Sequence, residues 1–200
     1  MNLNSYIAKQ FGDPTGPGGK LVSHIMNQQN RPLYEETIRL LAPADTDSVL
    51  DIGCGNGYVL QMIARQSGCT LTGIDTSASI IKAAVRCNRL AQATLLCQNA
   101  SEMSFADHTF SKAYTINTVY FWEDLSATMA EIQRVLKPGG LFINTLYSNE
   151  TLSQHPHTQF GYKRYTAEQL ISAGTSADFA AKVVLTLNGA AYCVVYRKAS

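Results

Sequence analysis

The sequence predicts an α/β protein with a doubly wound, mostly parallel seven-stranded sheet that ends in an antiparallel hairpin. Five short apolar runs alternate with helical segments, a pattern typical of parallel strands covered by helices on both faces. The last two runs are separated only by Asn188, Gly189 and Ala190, and an Asn-Gly pair between alternating segments indicates a hairpin turn. A length of 200 residues, 46% of them hydrophobic, suits one domain with a buried core.

The strands are predicted in chain order at SVLDI, TLTGID, ATLLCQ, KAYTIN and LFINTLY, followed by the hairpin strands AKVVLTL and AYCVVYR. A first helix begins at Pro32, because proline suits the first turn of a helix, and Pro43 ends it. Its predicted inner stripe consists of Leu33, Thr37, Leu40 and Leu41.

The other helices are predicted between the strands. One runs from about Tyr58 to Gln66, and the next spans about residues 76–91. The Lys-Pro-Gly-Gly segment at 137–140 ends the helix that precedes the fifth strand. Caps are predicted at Thr76 or Ser77, at Asp124, and at Thr166, which opens the capping box Thr-Ala-Glu-Gln.

Two parts of the chain are distinguished by composition. Residues 1–30 are polar and glycine-rich, and we expect an N-terminal segment that could act as a lid over an active site. Residues 31–200 are predicted to form a single domain.

Charge, cysteine content and hydropathy argue against several classes of protein. Sixteen Lys and Arg residues against 15 Asp and Glu give a net charge of +1, without the basic surplus expected of a nucleic-acid-binding protein. Five scattered cysteines without a Cys-x-x-Cys pair indicate reduced thiols, and no metal site is predicted. No apolar run is long enough to span a bilayer, and no signal peptide is recognisable, so the expected location is the cytoplasm.

The turn after the first strand predicts a nucleotide site. Ligands of doubly wound sheets bind beyond the carboxyl ends of the strands, where Gly53-Cys-Gly55-Asn-Gly57 lies. Asp51 comes two residues earlier, and its carboxylate would repel a pyrophosphate but attract a cation. S-adenosylmethionine carries an ammonium and a sulfonium and no phosphate, so its methionine end fits this turn better than NAD or FAD.

Polar side chains follow three further strands. Asp75 ends the second strand, where a carboxylate can accept hydrogen bonds from both ribose hydroxyls. After the third strand, the Asn99 amide oxygen can accept from an adenine amine, and the backbone N–H groups of Ala100 and Ser101 can donate to ring nitrogens. Asn117, which ends the fourth strand, would face the methionine and ribose. Thr76 is added to the predicted cofactor site as the neighbour of Asp75.

These blocks resemble the motifs of the class I (Rossmann-like) S-adenosylmethionine-dependent methyltransferases. The resemblance covers VLDIGCGNG, LTGIDTS, QNASEMSF and RVLKPGGLFI, and it is nearest to the small-molecule branch that includes ubiquinone/menaquinone methyltransferase-like proteins. It implies that Asp51, Gly53 and Gly55 hold the methionine part, that Asp75 binds ribose, and that Asn99 and Ala100 bracket adenine. Members often carry Asp where this chain has Asn99.

The acceptor is expected beside the ends of the fourth and fifth strands. The segment Val-Tyr-Phe-Trp at 119–122 follows Asn117, and residues 147–165 read as a long loop rich in aromatic side chains. Aromatic walls with a few polar groups are typical of sites for organic molecules. The predicted substrate-binding residues are Tyr120, Trp122, Tyr147, His155 and Tyr162; no catalytic base is predicted.

The predicted function is methyl transfer from S-adenosylmethionine to a small organic acceptor by a monomer or homodimer. Two alternatives remain at this stage. One is a non-catalytic S-adenosylmethionine-binding or partner-activating module. The other is an aminopropyltransferase, which would need an acidic pocket for a polyamine.

Overall fold

The computed structural model describes residues 25–86 and 93–200. The seven strands are β1 (Ser48–Ile52), β2 (Thr70–Asp75), β3 (Ala93–Cys97), β4 (Phe110–Ile116), β5 (Leu136–Tyr147), β6 (Phe179–Thr186) and β7 (Ala191–Lys198). They form one sheet in the order β3-β2-β1-β4-β5-β7-β6. The first five strands pair in parallel and β7 is antiparallel to both of its neighbours, which confirms the predicted fold class.

Residues 25–29 are helical, and six helices lie entirely within the described ranges. They are α1 (Arg31–Leu41), α2 (Tyr58–Ala64), α3 (Ala78–Arg86), α4 (Leu125–Val135), α5 (Asn149–Ser153) and α6 (Ala167–Ser176). Single 3₁₀ turns lie at Val119–Phe121, Pro156–Gln159 and Leu187–Gly189. The predicted lid falls largely on residues 1–24, which lie outside the described residues. The predicted end, at 87–91, of the helix after the second strand also lies outside them.

The chain reverses its direction of travel across the sheet at β1. From β1 it proceeds to β2 and β3 on one side, and it then crosses back so that β4 lies on the other side of β1. In doubly wound sheets this reversal opens a crevice at the carboxyl ends of the strands. The glycine turn after β1 lies at that crevice.

The core consists of two apolar layers, one on each face of the sheet. One layer includes Phe142 and Tyr196 with helices α4 and α6, and the other includes Val49 and Ile143 with helices α1 and α2. The second layer also contains buried polar groups that hydrogen-bond to one another. Thr145 of β5 lies 2.7 Å from the Thr37 hydroxyl of α1 and 3.3 Å from the Cys193 sulfur of β7. These contacts join the first helix to the middle of the sheet.

Local signals in the sequence are confirmed at three helix starts and at the hairpin turn. The Asp124 side chain accepts a hydrogen bond from the Ala127 N–H (2.9 Å), and Thr166 opens a complete capping box. The Ile80 N–H donates to the Ser77 hydroxyl (3.3 Å), so Ser77 rather than Thr76 holds the first turn of α3. In the hairpin, Asn188 adopts a left-handed conformation with φ of 54°.

Three predicted features differ from the structure. Tyr34 and Ile38 complete the buried face of α1, whereas Leu40 is only half-buried. The segment 137–140 does not separate helix from strand, because β5 begins at Leu136 and a register irregularity between Phe110 and Lys112 accommodates it. The stretch 147–165 is not a long open loop, since it contains α5 and a 3₁₀ turn.

The described residues include no helix that is both long and apolar enough to cross a membrane.

Candidate active site

The glycine turn after β1 uses backbone conformations that favour glycine. Gly53, Gly55 and Gly57 have φ angles of 76°, 51° and 73°, in the left-handed region that side chains with a Cβ rarely occupy. The N–H groups of Gly53 and Cys54 both donate to the Ile74 carbonyl, at 2.8 and 2.9 Å. The turn is therefore anchored to β2, and Gly57 leads directly into α2.

The two sides of this turn differ in the space beside them. A Cβ on Gly53 would lie 2.4 Å from Cγ2 of Thr118, whereas a Cβ on Gly55 would meet no atom within 4 Å. The backbone is thus pressed against the end of β4 at Gly53 and open at Gly55. This open side gives a ligand close access to the main chain.

Asp75 connects the ends of β1 and β2. Its carboxylate accepts hydrogen bonds from the N–H groups of Gly55 (3.0 Å) and Ser77 (2.9 Å). Two backbone donors fix the orientation of the side chain, and a carboxylate has room for further donors on its two oxygens. The acid expected to bind ribose is therefore also part of the glycine turn.

Asp51 is buried, with an exposed fraction of 3%. The Tyr114 hydroxyl of β4 donates to its Oδ2 atom at 2.7 Å. Burial raises the pKa of Asp51 to about 7, the Tyr114 hydrogen bond opposes that rise, and the neighbouring Asp75 charge adds to it. A positive charge close to such a buried carboxyl group stabilises its ionised form.

The segment after β3 is held by local hydrogen bonds. Asn99 is exposed, and its amide oxygen accepts from the Ser101 N–H at 3.1 Å, while Ala100 is buried. Thr76 is exposed, and its carbonyl oxygen accepts from the Cys97 thiol at 3.5 Å. All four strand ends named in the sequence prediction lie on the carboxyl edge of the sheet, but the roles of Thr76, Asn99, Ala100 and Ser101 toward a cofactor stay predictions.

A network of amides and phenols lies at the ends of β4 and β5. Asn117 has a φ of 57°, and its backbone N–H donates to the Thr145 carbonyl. Its amide nitrogen donates to Asn30 Oδ1 (3.3 Å), and the same Asn30 oxygen accepts from the Tyr147 hydroxyl (3.0 Å). The Tyr120 hydroxyl donates to Asn117 Oδ1 (3.2 Å) and accepts from the Tyr147 N–H (2.9 Å).

Beside this network the predicted acceptor residues form a cluster of rings. Tyr162 packs on Tyr120, with centroids 5.4 Å apart, and on Phe121 at 4.8 Å. His157, rather than the predicted His155, contacts Tyr162, at 6.2 Å between centroids. Burial and the neighbouring His155 lower the pKa of His157, which favours its neutral form.

The structure corrects the prediction that Trp122 binds the substrate. Trp122 is 8% exposed and belongs to the core under α4, whereas Phe121 is 39% exposed. The part of the aromatic segment that can meet a ligand is therefore Phe121 with Tyr162. Among the described residues there is no group of three or more His, Cys, Asp or Glu side chains that could hold a metal ion.

Two functional contacts were missed by sequence reasoning. Tyr114 lies in the middle of β4, 63 positions from Asp51 in sequence, and only the pairing of β4 with β1 brings them together. Asn30 precedes α1, and its polar character alone did not distinguish it from a loop residue. Its position at the start of the helix predicted from Pro32 was the available signal, and the structure shows that Asn30 is the N-cap residue of α1.

Comparisons with known proteins extend this picture. The sequence model of a methyltransferase domain family matches residues 50–144. An uncharacterised methyltransferase of Bacillus subtilis (strain 168), YdaC, is 30% identical over 131 residues, which are 65% of this chain and 72% of that protein. The chain spans 42% or less of other curated relatives, such as the Saccharomyces cerevisiae sterol 24-C-methyltransferase ERG6, of which it spans 26% at 37% identity.

Solved structures share the fold. A Haloferax volcanii methyltransferase in complex with the methyltransferase activator Trm112 superposes with a TM-score of 0.81 at 17% identity, covering 100% of this chain and 99% of that one. Geranyl diphosphate C-methyltransferase from Streptomyces coelicolor A3(2), solved with S-adenosyl-L-homocysteine, has a TM-score of 0.73 at 16% identity and covers 94% and 88% of the two chains.

Proposed function

Because the chain belongs to the class I S-adenosylmethionine-dependent methyltransferases, we propose that it methylates a small organic acceptor at the carboxyl edge of β1, β4 and β5. The alternatives of a non-catalytic binding module and of an aminopropyltransferase are not favoured, since the matched relatives are named methyltransferases. The near-neutral charge of the chain favours a small molecule over a nucleic acid as acceptor. The cytoplasm remains the proposed location, and monomer or homodimer the proposed assembly.

The observation that carries the proposal is the joining of Asp51, the glycine turn and Asp75 in one unit. The open backbone at Gly55 lies between a buried carboxyl group and a carboxylate held by two N–H donors. This arrangement of polar groups fits S-adenosylmethionine, with Asp51 near the ammonium, Asp75 on the ribose, and Asn99 with Ala100 at the adenine. Asp51 disfavours a dinucleotide, because a pyrophosphate at the glycine turn would meet its carboxyl group. Asp75 does not discriminate, because NAD-binding proteins also place an acid on the ribose.

Bound S-adenosylmethionine supplies a methyl group already activated by the sulfonium, so the protein contributes position and exclusion of water. Tyr147, at the end of β5, orients the acceptor, and Asn117, at the end of β4, keeps its predicted place beside the methionine and ribose of the cofactor. Tyr162, with the exposed Phe121 beside it, forms the wall on which the acceptor rests, and the buried Tyr120 packs behind Tyr162. The proposed substrate-binding set keeps Tyr147 and Tyr162 and retains His155 as a second member of the histidine pair. Tyr120 and Trp122, which the sequence analysis placed in this set, are 1% and 8% exposed and support the wall from behind.

The first test is calorimetric titration with S-adenosylmethionine, S-adenosylhomocysteine and NAD. We expect micromolar binding of both sulfur compounds and no binding of NAD. In Asp75→Asn the affinity should fall by about tenfold or more, because hydrogen bonds to a carboxylate contribute about 1.5–3 kcal/mol. Glu168→Gln, which removes an exposed carboxylate on α6, is the matched control. Equal affinity in both variants would contradict the assignment of Asp75.

Cofactor affinity should also depend on pH through Asp51. The pKa of Asp51 is about 7 in the protein alone, and a nearby ammonium would lower it because it favours the carboxylate. Binding therefore releases a proton below pH 7, and S-adenosylhomocysteine should bind about tenfold more tightly at pH 8 than at pH 6.

Calorimetry in two buffers with different ionisation enthalpies measures this proton release directly. The dependence should disappear in Asp51→Asn and persist in Glu168→Gln. An affinity that stays constant or rises as the pH falls from 8 to 6 would show that no ammonium lies beside Asp51.

A further inference from the structure

We propose that Tyr147 selects acceptors that carry a hydrogen-bond donor at or beside the nucleophilic atom, and that Asn30 sets this preference by fixing the direction of the Tyr147 hydroxyl. The inference rests on the proposed function, since it concerns the acceptor side of the same site. It assigns a role to Asn30, and it defines the acceptor class as neutral hydroxyl, amino or thiol compounds that still carry a hydrogen.

The direction of the network is set by a backbone group. The Tyr147 N–H can only donate, and it donates to the Tyr120 hydroxyl oxygen at 2.9 Å. The Tyr120 proton must therefore point elsewhere. Its nearest acceptor is Asn117 Oδ1 at 3.2 Å, against 3.4 Å for the Tyr147 carbonyl.

The side-chain amides of Asn117 and Asn30 then fix the donor and acceptor in the remaining hydrogen bonds. Since Asn117 Oδ1 accepts from Tyr120, the other branch of the Asn117 amide is the NH₂ group, which donates to Asn30 Oδ1 at 3.3 Å. An amide oxygen has two lone pairs and no hydrogen. The Tyr147 hydroxyl, 3.0 Å from the same oxygen, must therefore donate its proton to Asn30.

The Tyr147 oxygen is left with its lone pairs as the acceptor end of the network. Tyr147 is half-buried at the end of β5, and within residues 25–86 and 93–200 no side chain donates to this oxygen. Burial also raises its pKa, so the phenol stays neutral at physiological pH. An acceptor with an O–H, N–H or S–H group would gain a hydrogen bond here, whereas an ether, a tertiary amine or a carboxylate would face lone pairs.

The nearby cations do not favour an anionic acceptor. The Lys163 ammonium donates to the carbonyls of Trp122 and Glu123, each at 2.7 Å. The Arg164 guanidinium donates to Thr158 and to the Asn149 carbonyl. Both positive charges of this segment hold backbone and neighbouring hydroxyl groups in place, which leaves a site lined by neutral phenols and amides.

The experiment uses two probes with the same fluorophenyl ring, 4-fluorophenol and 4-fluoroanisole, which differ in whether the oxygen carries a hydrogen or a methyl group. Their binding to the full chain saturated with S-adenosylhomocysteine is measured by fluorine NMR titration. We expect the phenol to bind about tenfold more tightly than the anisole, which corresponds to one hydrogen bond. In Tyr147→Phe this ratio should fall to about one.

Asn30 is tested as a positioning residue through the same ratio. Asn30→Leu frees the Tyr147 hydroxyl to rotate and should lower the ratio at least about threefold, whereas Asn30→Asp keeps an oxygen for both donors and should restore it. Tyr192→Phe is the control, because that hydroxyl donates to the Tyr165 carbonyl and not to a member of this network.

The proposal is overturned if the anisole binds as tightly as the phenol, if Tyr147→Phe keeps the preference, or if neither probe binds to a protein that binds S-adenosylhomocysteine. Failure to bind S-adenosylhomocysteine would instead contradict the proposed function. The two results are therefore distinguishable in one series of titrations.

Discussion

Gly53→Ala is expected to abolish measurable binding of S-adenosylhomocysteine. The new methyl group would lie 2.4 Å from Cγ2 and 3.0 Å from Cβ of Thr118, and the φ of 76° is unfavourable for alanine. Thr118 has little room to move, because it hydrogen-bonds to Thr115 and leads into the buried Val119. Strain and overpacking together cost about 3 kcal/mol or more, so the turn should shift and affinity should fall at least about 100-fold.

Gly161→Ala is a closely matched control for this variant. Gly161 also has a φ of 76°, but a Cβ there would meet no atom within 4 Å. The control therefore carries the same backbone strain without the collision. Calorimetry and a thermal melt of both variants separate the loss of binding from a loss of folding. If Gly53→Ala binds S-adenosylhomocysteine as well as Gly161→Ala does, the glycine turn is not the cofactor site.

Gly174→Ala should destabilise the fold, although alanine is the better helix former. Gly174 lies in α6, and a Cβ there would come within 2.5 Å of two ring carbons of Tyr196. That ring is stacked on Phe142 (5.2 Å between centroids), and its hydroxyl donates to the Leu170 carbonyl (3.1 Å). Overpacking of a fixed ring costs about 3 kcal/mol, against a helix-propensity gain of about 1 kcal/mol.

The net loss of about 2 kcal/mol corresponds to a decrease in melting temperature of about 4–8 °C for a chain of this size. Ser172→Ala introduces alanine at an exposed position of the same helix, and it should leave the melting temperature unchanged or raise it. In a Tyr196→Leu background the cost of Gly174→Ala should largely disappear, because the ring it meets is gone. A cost that is undiminished in that background would show that the ring is not its cause.

Much of the fold could be predicted because its signals are local. The capping box at Thr166, the cap at Asp124 and the Asn-Gly turn each depend on a few neighbouring residues, and all three are confirmed. The start of β5 was missed for a physical reason. Proline and glycine weaken a strand, but β4 shifts its register between Phe110 and Lys112 and keeps the pairing.

The candidate site was predictable as a set of strand ends but not as a set of contacts. Asp51, Asp75 and Asn117 could be placed on one edge because parallel strands end together. The partners of these residues depend on sheet register and helix docking, which no short motif encodes. Tyr114 reaches Asp51 through the pairing of β1 with β4, and Asn30 reaches Asn117 across 87 positions of sequence.

The position of β7 inside the sheet constrains the order in which the protein can assemble. β7 follows β6 in the chain, yet it lies between β5 and β6 and pairs with both. During synthesis β6 has no partner when it leaves the ribosome, and the outer edge of β5 stays unpaired until residues 191–198 emerge. Unpaired edges of apolar strands recruit other chains. We therefore expect ribosome-bound chains that end before β7 to depend most strongly on chaperones.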